Sequence, residues 1–267
     1  MPLITLTTDF GLSDIYVGVM KGVIHAIAPG TRIIDLTHHV APQDVIGAAL
    51  SLEAATPHFA RGTIHVAVVD PGVGSMHRAI ACRTQRGDVY VGPDNGIFTL
   101  ALSHDPAVAM VELNREAFHR KPVSATFHGR DIFAPVAAHL ANGTPLEDVG
   151  DAIASLARID VPAPRIIDDR TVQAEVLHVD RFGNLITNLI GERLTVWVGH
   201  ERDHLTFDVG DSPGSRITGL SQTFADAIEG ELVAYIGSGG RLEIAVRNGS
   251  AAAELKAGRH TQVTVRR

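Results

Sequence analysis

The chain has 267 residues, 45% of them in the hydrophobic set and 20% charged, with a net charge of −7. That suffices for one large domain or two modest ones without metal or disulfide staples. Basic residues form no run and aromatics are only 5%, which argues against a nucleic-acid groove of clustered cations and stacking rings. The single cysteine, Cys82, excludes an intrachain disulfide and any CxxC metal or redox motif. The opening Met-Pro-Leu-Ile-Thr lacks a basic n-region, and Asp9 interrupts it before an apolar h-region can form. No apolar stretch reaches the roughly 18 residues of a membrane span. A cytoplasmic chain with no membrane partner is expected.

Leu3–Thr8 is predicted as the first strand. Ile15, Val19, Met20, Val23, Ile24 and Ile27 then recur at helical spacing until Pro29-Gly30. Arg32–Thr37 reads as a strand, Val45–Ala55 as an Ala/Leu-rich helix, and 63–69 (TIHVAVV) as a strand covered on both faces. Strands near Ala79–Thr84 and 88–91 follow, and a helix opens at Asp131. This alternation predicts an α/β domain with a mostly parallel sheet between helices, whose ligand sites lie at the carboxyl ends of the strands. Past residue 158 the pattern changes. Pro162 and Pro164 lead into period-two alternation at Val172, Ala174, Val176 and His178, with further strands near Leu232–Ile236, 242–246 and 262–265 and a short helical stretch at 224–228. The predicted division is an N-terminal α/β domain over 1–160, a linker over 161–167 and a smaller antiparallel β domain over 168–267.

Polar residues gather where these elements end. In Thr7-Thr8-Asp9-Phe10-Gly11-Leu12-Ser13-Asp14, Asp9 follows the first strand, where a carboxylate can accept two hydrogen bonds from a vicinal diol. Asp14 and Ser13 are equally suited to capping the next helix. Val69-Asp70-Pro71-Gly72-Val73-Gly74-Ser75-Met76-His77-Arg78 sets an acid at the end of an apolar strand, then a Pro-Gly-x-Gly turn and a basic pair. It is either a solvated turn salt bridge or an acid and a cation held across a pocket. The spacing matches neither a dinucleotide loop nor a phosphate loop. Thr126-Phe127-His128-Gly129-Arg130-Asp131 packs polar groups before a helix, which lifts His128 above the other histidines. Asp180-Arg181-Phe182-Gly183-Asn184, and the loops holding Ser238 and Arg247-Asn248, each read alone as turn chemistry. Gly210-Asp-Ser212-Pro-Gly214 fits the GxSxG esterase pattern by chance, because no strand-turn-helix surrounds it and Pro213 spoils the elbow.

Taken together, TTDFGLSD, VVDPGVG, GPDNG, SATFHGRDIFAPVAAHLA, VDRFGN and LEIAVRNGSAA resemble, in order and spacing, the S-adenosyl-L-methionine (SAM) hydrolases that form adenosine. These SAM hydroxide adenosyltransferases are relatives of the fluorinase and chlorinase. The resemblance runs from about Ile4 to Val265. It implies an N-terminal α/β domain, a smaller C-terminal β domain, and a homotrimer whose sites lie between the N-terminal domain of one subunit and the C-terminal domain of the next. SAM would be the substrate, with no cofactor and no metal. The family's Asp–Arg–His catalytic set falls on Asp70, Arg78 and His128. The family commonly has two arginines after the turn, where this chain has His77 and Arg78. Asp9 matches the acid that binds the ribose hydroxyls. Asp180, Phe182 and Asn184 match the block around the methionine end and the adenine. Ser238, Arg247 and Asn248 match the C-terminal wall, with Gly239 where the halogenases carry an arginine.

A sulfonium is already a good leaving group, so water aligned behind C5′ can displace methionine. Asp70 or His128 would accept the proton and Arg78 would hold the developing hydroxide. Three alternatives remain open. In a SAM-dependent halogenase the halide pocket would fall on Asp70, Val73 and Gly129, where a carboxylate repels an anion. A non-catalytic SAM or adenosine sensor would bind without turnover. A calcium-dependent nucleoside hydrolase needs a denser acid cluster than Asp9 and Asp14.

Overall fold

The computed structural model describes residues 2–75, 77–199, 204–210 and 215–267. The chain divides into two compact units, Met1–Ile159 and Asp160–Arg267. No helix among the described residues is long and apolar enough to cross a membrane. The GxSxG match falls, from residue 211 to 214, outside the described residues.

In the first unit, β1 (Leu3–Thr8), α1 (Tyr16–Ile27), β2 (Arg32–Thr37), α2 (Val45–Ala55) and β3 (Ile64–Val68) follow the predicted alternation. Then come β4 (Ala79–Thr84), β5 (Val89–Pro93), α3 (Thr99–His104), β6 (Ala107–Glu112), α4 (Ala134–Ala141) and the short β7 (Asp151–Ala152). The sheet order is β2-β1-β3-β5-β4-β6-β7. The β2-β1-β3-β5 half is parallel, whereas β4 pairs antiparallel with both β5 and β6, and β7 antiparallel with β6. The sheet is thus mixed, where alternation alone suggests a mostly parallel one. The reason is local: β4 and β5 are joined by a tight turn in which Gly87 N–H donates to Thr84 O and Thr84 N–H to Asp88 O. A parallel pairing needs a crossover of a dozen or more residues.

Strand alternation feeds two cores. Ile4, Leu6, Ile64, Val66 and Val68 pack with Met20 and Ile24 of α1 and with Ala134 and Val136 of α4. Ala67, Val69, Ile80, Cys82 and Tyr90 pack on the other face with Ala48 and Leu52 of α2 and Ala101 of α3. Every residue of β3 is buried, as a strand covered on both faces requires. His65 on β3 is a buried core histidine bonded on one side only: its Nδ1 meets Thr5 Oγ1 at 2.8 Å while Nε2 has no hydrogen-bond partner among the described residues, and burial followed by the charge of Arg86 lowers its pKa to about 4.

The second unit holds β8 (Arg165–Asp168), β9 (Thr171–Val179), β10 (Leu185–Ile190), α5 (Gly191–Val198), β11 (Thr206–Val209), β12 (Ile217–Thr218), β13 (Leu232–Ile236), β14 (Arg241–Val246), α6 (Ala251–Glu254) and β15 (Gln262–Arg266). The strand order is β12-β11-β15-β9-β10-β14-β13, with β8 beside β9, and every ladder is antiparallel. A bridge between Ser221 and Tyr235 brings the two ends of the sheet together, so the sheet curls toward a barrel. Val172, Ala174 and Val176 point into the core, as period two requires. The helical stretch near 224–228 is a single 3-10 turn, Phe224–Asp226, closed by a capping box from Thr223.

Candidate active site

Three loops meet at the carboxyl ends of β1 and β3. The first carries Asp9, whose Oδ2 accepts the Gln43 N–H at 2.8 Å. Gly11, at φ +67°, donates its N–H to His38 O at 2.7 Å. The N-cap of α1 is Ile15, without a side-chain bond, so neither Ser13 nor Asp14 occupies the capping position. The rings of Phe10, Tyr16 and Phe127 pack edge to face or tilted, with centroids 5.2–5.9 Å apart, which joins this loop to the one before α4.

The second loop follows β3. The Asp70 side chain is only 6% exposed. Its Oδ1 accepts Gly72 N–H at 3.1 Å and faces His77 Nδ1 at 3.5 Å. A Cβ on Gly72 would lie 2.3 Å from His77 Cε1, and one on Gly74 would lie 2.3 Å from Ala125 O. Position 74 therefore needs glycine, being held against backbone and at φ +76°, whereas a side chain at Gly72 would displace the His77 ring. The Gly74–Ala125 approach fixes the Asp70 turn against the segment that carries His128.

Arg78 turns elsewhere. Its Nε donates to Asp94 Oδ2 at 2.9 Å, Nη2 reaches the same oxygen, and Nη2 donates to Ser155 O at 3.0 Å. Asp94 also takes Ala157 N–H at 2.7 Å. The neighbouring Asn95 caps the end of β3 through Val69 O at 2.8 Å. In the GPDNG block, the acid thus pairs with Arg78 and the amide fastens the strand below Asp70. This pairing spans 16 residues of sequence, and no local signal announces it.

The third loop carries half-buried His128, at the N-cap of a π turn, Gly129–Phe133, that runs into α4. Gly129 lies against Met20, Phe127 and Phe10. The polar density here resolves into a support for the loop. Asp131, fully buried, accepts Arg130 Nε and Nη2 at 2.6 Å each, Arg120 Nη1 at 3.2 Å and Ser124 N–H at 2.9 Å. Burial works against its charge, but these donors outweigh it and hold the carboxyl below its ordinary pKa.

In the second unit, Asp180 closes the turn after β9. Its Oδ1 accepts Phe182 N–H and Asn184 N–H, and its Oδ2 accepts Asn184 Nδ2, all at 2.9 Å. Asn184 is buried and Phe182 is 75% exposed, so a rigid turn displays an aromatic ring to solvent. Gly183, at φ +84°, leaves no space for a Cβ beside Ser250 Oγ. Ser238 is exposed in a loop whose Gly237 rests on the Glu243 carboxyl. Burial raises the Glu243 pKa and Tyr235 O–H donates to it. The Arg247 guanidinium is bound to Ala227 O at 2.6 Å and Ala225 O at 3.3 Å, and Asn248 sits exposed at φ +58°. The structure thus groups Asp9, Asp70 and His128 on adjoining loops of one unit. It groups Asp180, Phe182 and Asn184 on one turn of the other, and it places His77, where sequence favours Arg78, against Asp70. His38, Asp94 and Asn95 support these groups without belonging to any site read from sequence.

Among the described residues, no group of three or more His, Cys, Asp or Glu is placed to hold a metal ion. The first unit thus sets a strand-end acid beside a glycine turn and His77, and the second carries its polar turns on an antiparallel sheet. Residues 4–150 match the SAM hydroxide adenosyltransferase N-terminal domain and residues 174–264 its C-terminal domain. The chain belongs to this family. It is 42% identical to a Thermus thermophilus protein named (R)-S-adenosyl-L-methionine hydrolase, over 91% of each chain. It is 43% identical to one of the same name from Salinispora tropica, over 94% of this chain and 92% of the relative. A Nocardia brasiliensis fluorinase is 30% identical over 99% of this chain and 97% of its own. The crystal structure of an uncharacterized conserved protein from Thermotoga maritima superposes with a TM-score of 0.92 at 37% identity, covering 99% of this chain and all of that one.

Proposed function

We propose that this protein hydrolyses SAM to adenosine and L-methionine, by in-line attack of water on C5′ of the ribose. One observation carries the reading: the nearly buried Asp70 carboxylate at the end of β3, held by Gly72 N–H and facing His77. As the water oxygen bonds to C5′, the C5′–S bond breaks and its electron pair leaves with the methionine thioether. The water proton passes to Asp70 or His128 and then to solvent. Holding water in line with the sulfonium supplies several kcal/mol of the barrier reduction, and the leaving group needs no further activation, so no cofactor is invoked. Arg78 is the cation of the set, acting from its pair with Asp94, and His77 is the contact that orients Asp70.

Asp9 binds the ribose hydroxyls. Asp180, Phe182 and Asn184 receive the adenine and the methionine end. Ser238 and Asn248 form the far wall with Arg247, whose guanidinium is spent on Ala225 and Ala227, so that Arg247 contributes through its main chain. The working form is a cytoplasmic homotrimer with sites between subunits, which light scattering measures. The activity test incubates the protein with resolved (R) and (S) SAM, with and without EDTA, chloride or fluoride, across neutral to alkaline pH. Adenosine and methionine insensitive to EDTA are expected, with oxygen-18 from the medium in the 5′-hydroxyl. Absence of both products overturns the reading; a 5′-halo nucleoside replaces it with halide transfer, and free adenine with nucleoside hydrolysis.

A further inference from the structure

A buried histidine stands behind Asp9. His38, in the loop after β2, is 2% exposed. Its Nδ1 lies 2.8 Å from Oγ1 of Thr8, the fully buried last residue of β1. That same oxygen accepts Phe10 N–H at 3.2 Å, and the His38 carbonyl accepts Gly11 N–H at 2.7 Å. Residues 8, 10 and 11 are therefore all tied to His38, directly or through Thr8, and Asp9 sits between them. On the far side, His38 Nε2 stands 3.0 Å from Asp35 Oδ1, within ion-pair range though off the line of a hydrogen bond. Asp35 Oδ2 takes Lys21 Nζ at 2.6 Å.

This order of partners gives each hydrogen a direction. A carboxylate beside Nε2 favours a proton on that nitrogen and disfavours a lone pair there. Nδ1 is then an acceptor, Thr8 O–H donates to it, and the Thr8 oxygen turns a lone pair toward Phe10 N–H. A histidine that merely filled the core would need neither the charged pair on one side nor the loop on the other.

We propose that His38, backed by Asp35 and Lys21, is a positioning residue that fixes the Asp9 carboxylate for the substrate's ribose hydroxyls. The inference rests on the role given to Asp9 in the hydrolase reading. It is tested by steady-state kinetics on SAM with His38→Asn, His38→Gln and Asp35→Asn, each alone and combined with Asp9→Asn. Losing the Nδ1 acceptor in His38→Gln, or the Asp35 charge that sets the imidazole tautomer in Asp35→Asn, raises KM about tenfold, with kcat within about twofold. His38→Asn, whose Oδ1 can take the Thr8 O–H in place of Nδ1, restores most of the wild-type KM. Asp35 is at the surface, with a side chain 36% exposed, so its variant keeps the test open even where a His38 variant folds poorly. In the Asp9→Asn background the same changes add nothing further, because the group they position is gone. If KM ignores all three variants while the wild-type chain releases adenosine, the inference alone is overturned. The same holds if their effect persists undiminished without the Asp9 charge. A wild-type chain that releases no adenosine overturns the hydrolase reading, and this inference with it.

Discussion

The Asp70 carboxylate faces His77 Nδ1 at 3.5 Å, with the His77 ring packed over Gly72 where a Cβ would stand. The next residue, Arg78, points its guanidinium at Asp94 instead. These two basic neighbours therefore have separable effects. Asp70→Asn keeps the shape of the turn and removes the charge, so kcat falls about 10²–10⁴-fold with KM little changed. His77→Ala lowers kcat about tenfold and leaves the melting temperature unchanged, since its ring is 44% exposed. Arg78→Ala strands Asp94, only 5% exposed, and costs about 2 kcal/mol of stability by thermal unfolding as well as activity. A His77 variant with full kcat would remove histidine from the site.

Gly74 is a conformational requirement, at φ +76° with Ala125 O where its Cβ would stand. Gly74→Ala separates the Asp70 turn from the His128 loop. It is expected to destabilise the fold by about 2 kcal/mol or more and to lower kcat beyond what stability explains. Circular dichroism melting beside single-turnover rates checks both.

Phe182 is held out by the Asp180 turn with 75% of its surface exposed. A large ring in water contributes nothing to the core, so Phe182→Ala leaves the melting temperature within about 1 °C. Stacking on a base is worth about 1–3 kcal/mol, so KM for SAM rises about tenfold while kcat is kept. A variant with unaltered KM would show that the ring serves some other contact.

Much of the fold was legible because burial leaves a period. β3 is apolar apart from His65 and buried throughout, and Val172, Ala174 and Val176 alternate on β9, so both were readable as strands. Pairing direction was not readable, since period two describes a strand and says nothing of its neighbour. The β4–β5 pair is antiparallel because a tight turn joins the two strands. α5 was missed because GERLTVWV is rich in β-branched residues and tryptophan, whose weak helix propensity is overridden by burial of Leu194 and Val198. In the candidate site, the placement of Asp9 and Asp70 in loops after β1 and β3 was readable from acids at strand ends beside glycine turns. Contacts bridging long stretches of chain were invisible: Arg78 to Asp94, Thr8 to His38, Arg247 to the carbonyls of Ala225 and Ala227.

The pH dependence of stability follows from three histidines and one carboxyl in the first unit, His65 and Asp131 being the most buried. His65 has its pKa lowered from 6.5 to about 4, so the folded state holds it neutral while the unfolded chain protonates it first. Its contribution is fully present above pH 6.5 and is lost as pH falls toward 4, at a slope of at most about 1.4 kcal/mol per pH unit. His119 and His139, also lowered by burial, add to that slope in the same direction. Asp131 then takes over, because its folded pKa lies below its ordinary 3.8. Its stabilisation is present above that value and disappears as pH drops through the folded pKa. Urea unfolding between pH 7 and 3 should therefore show a decline beginning near 6.5 and a second one below 4. His65→Gln is expected to flatten the first part of the curve and Asp131→Asn the second. Asp131→Asn also costs about 2 kcal/mol at neutral pH, where Arg120 and Arg130 lose their shared anion. A His65→Gln curve parallel to the wild type throughout would show that the buried imidazole is not what titrates.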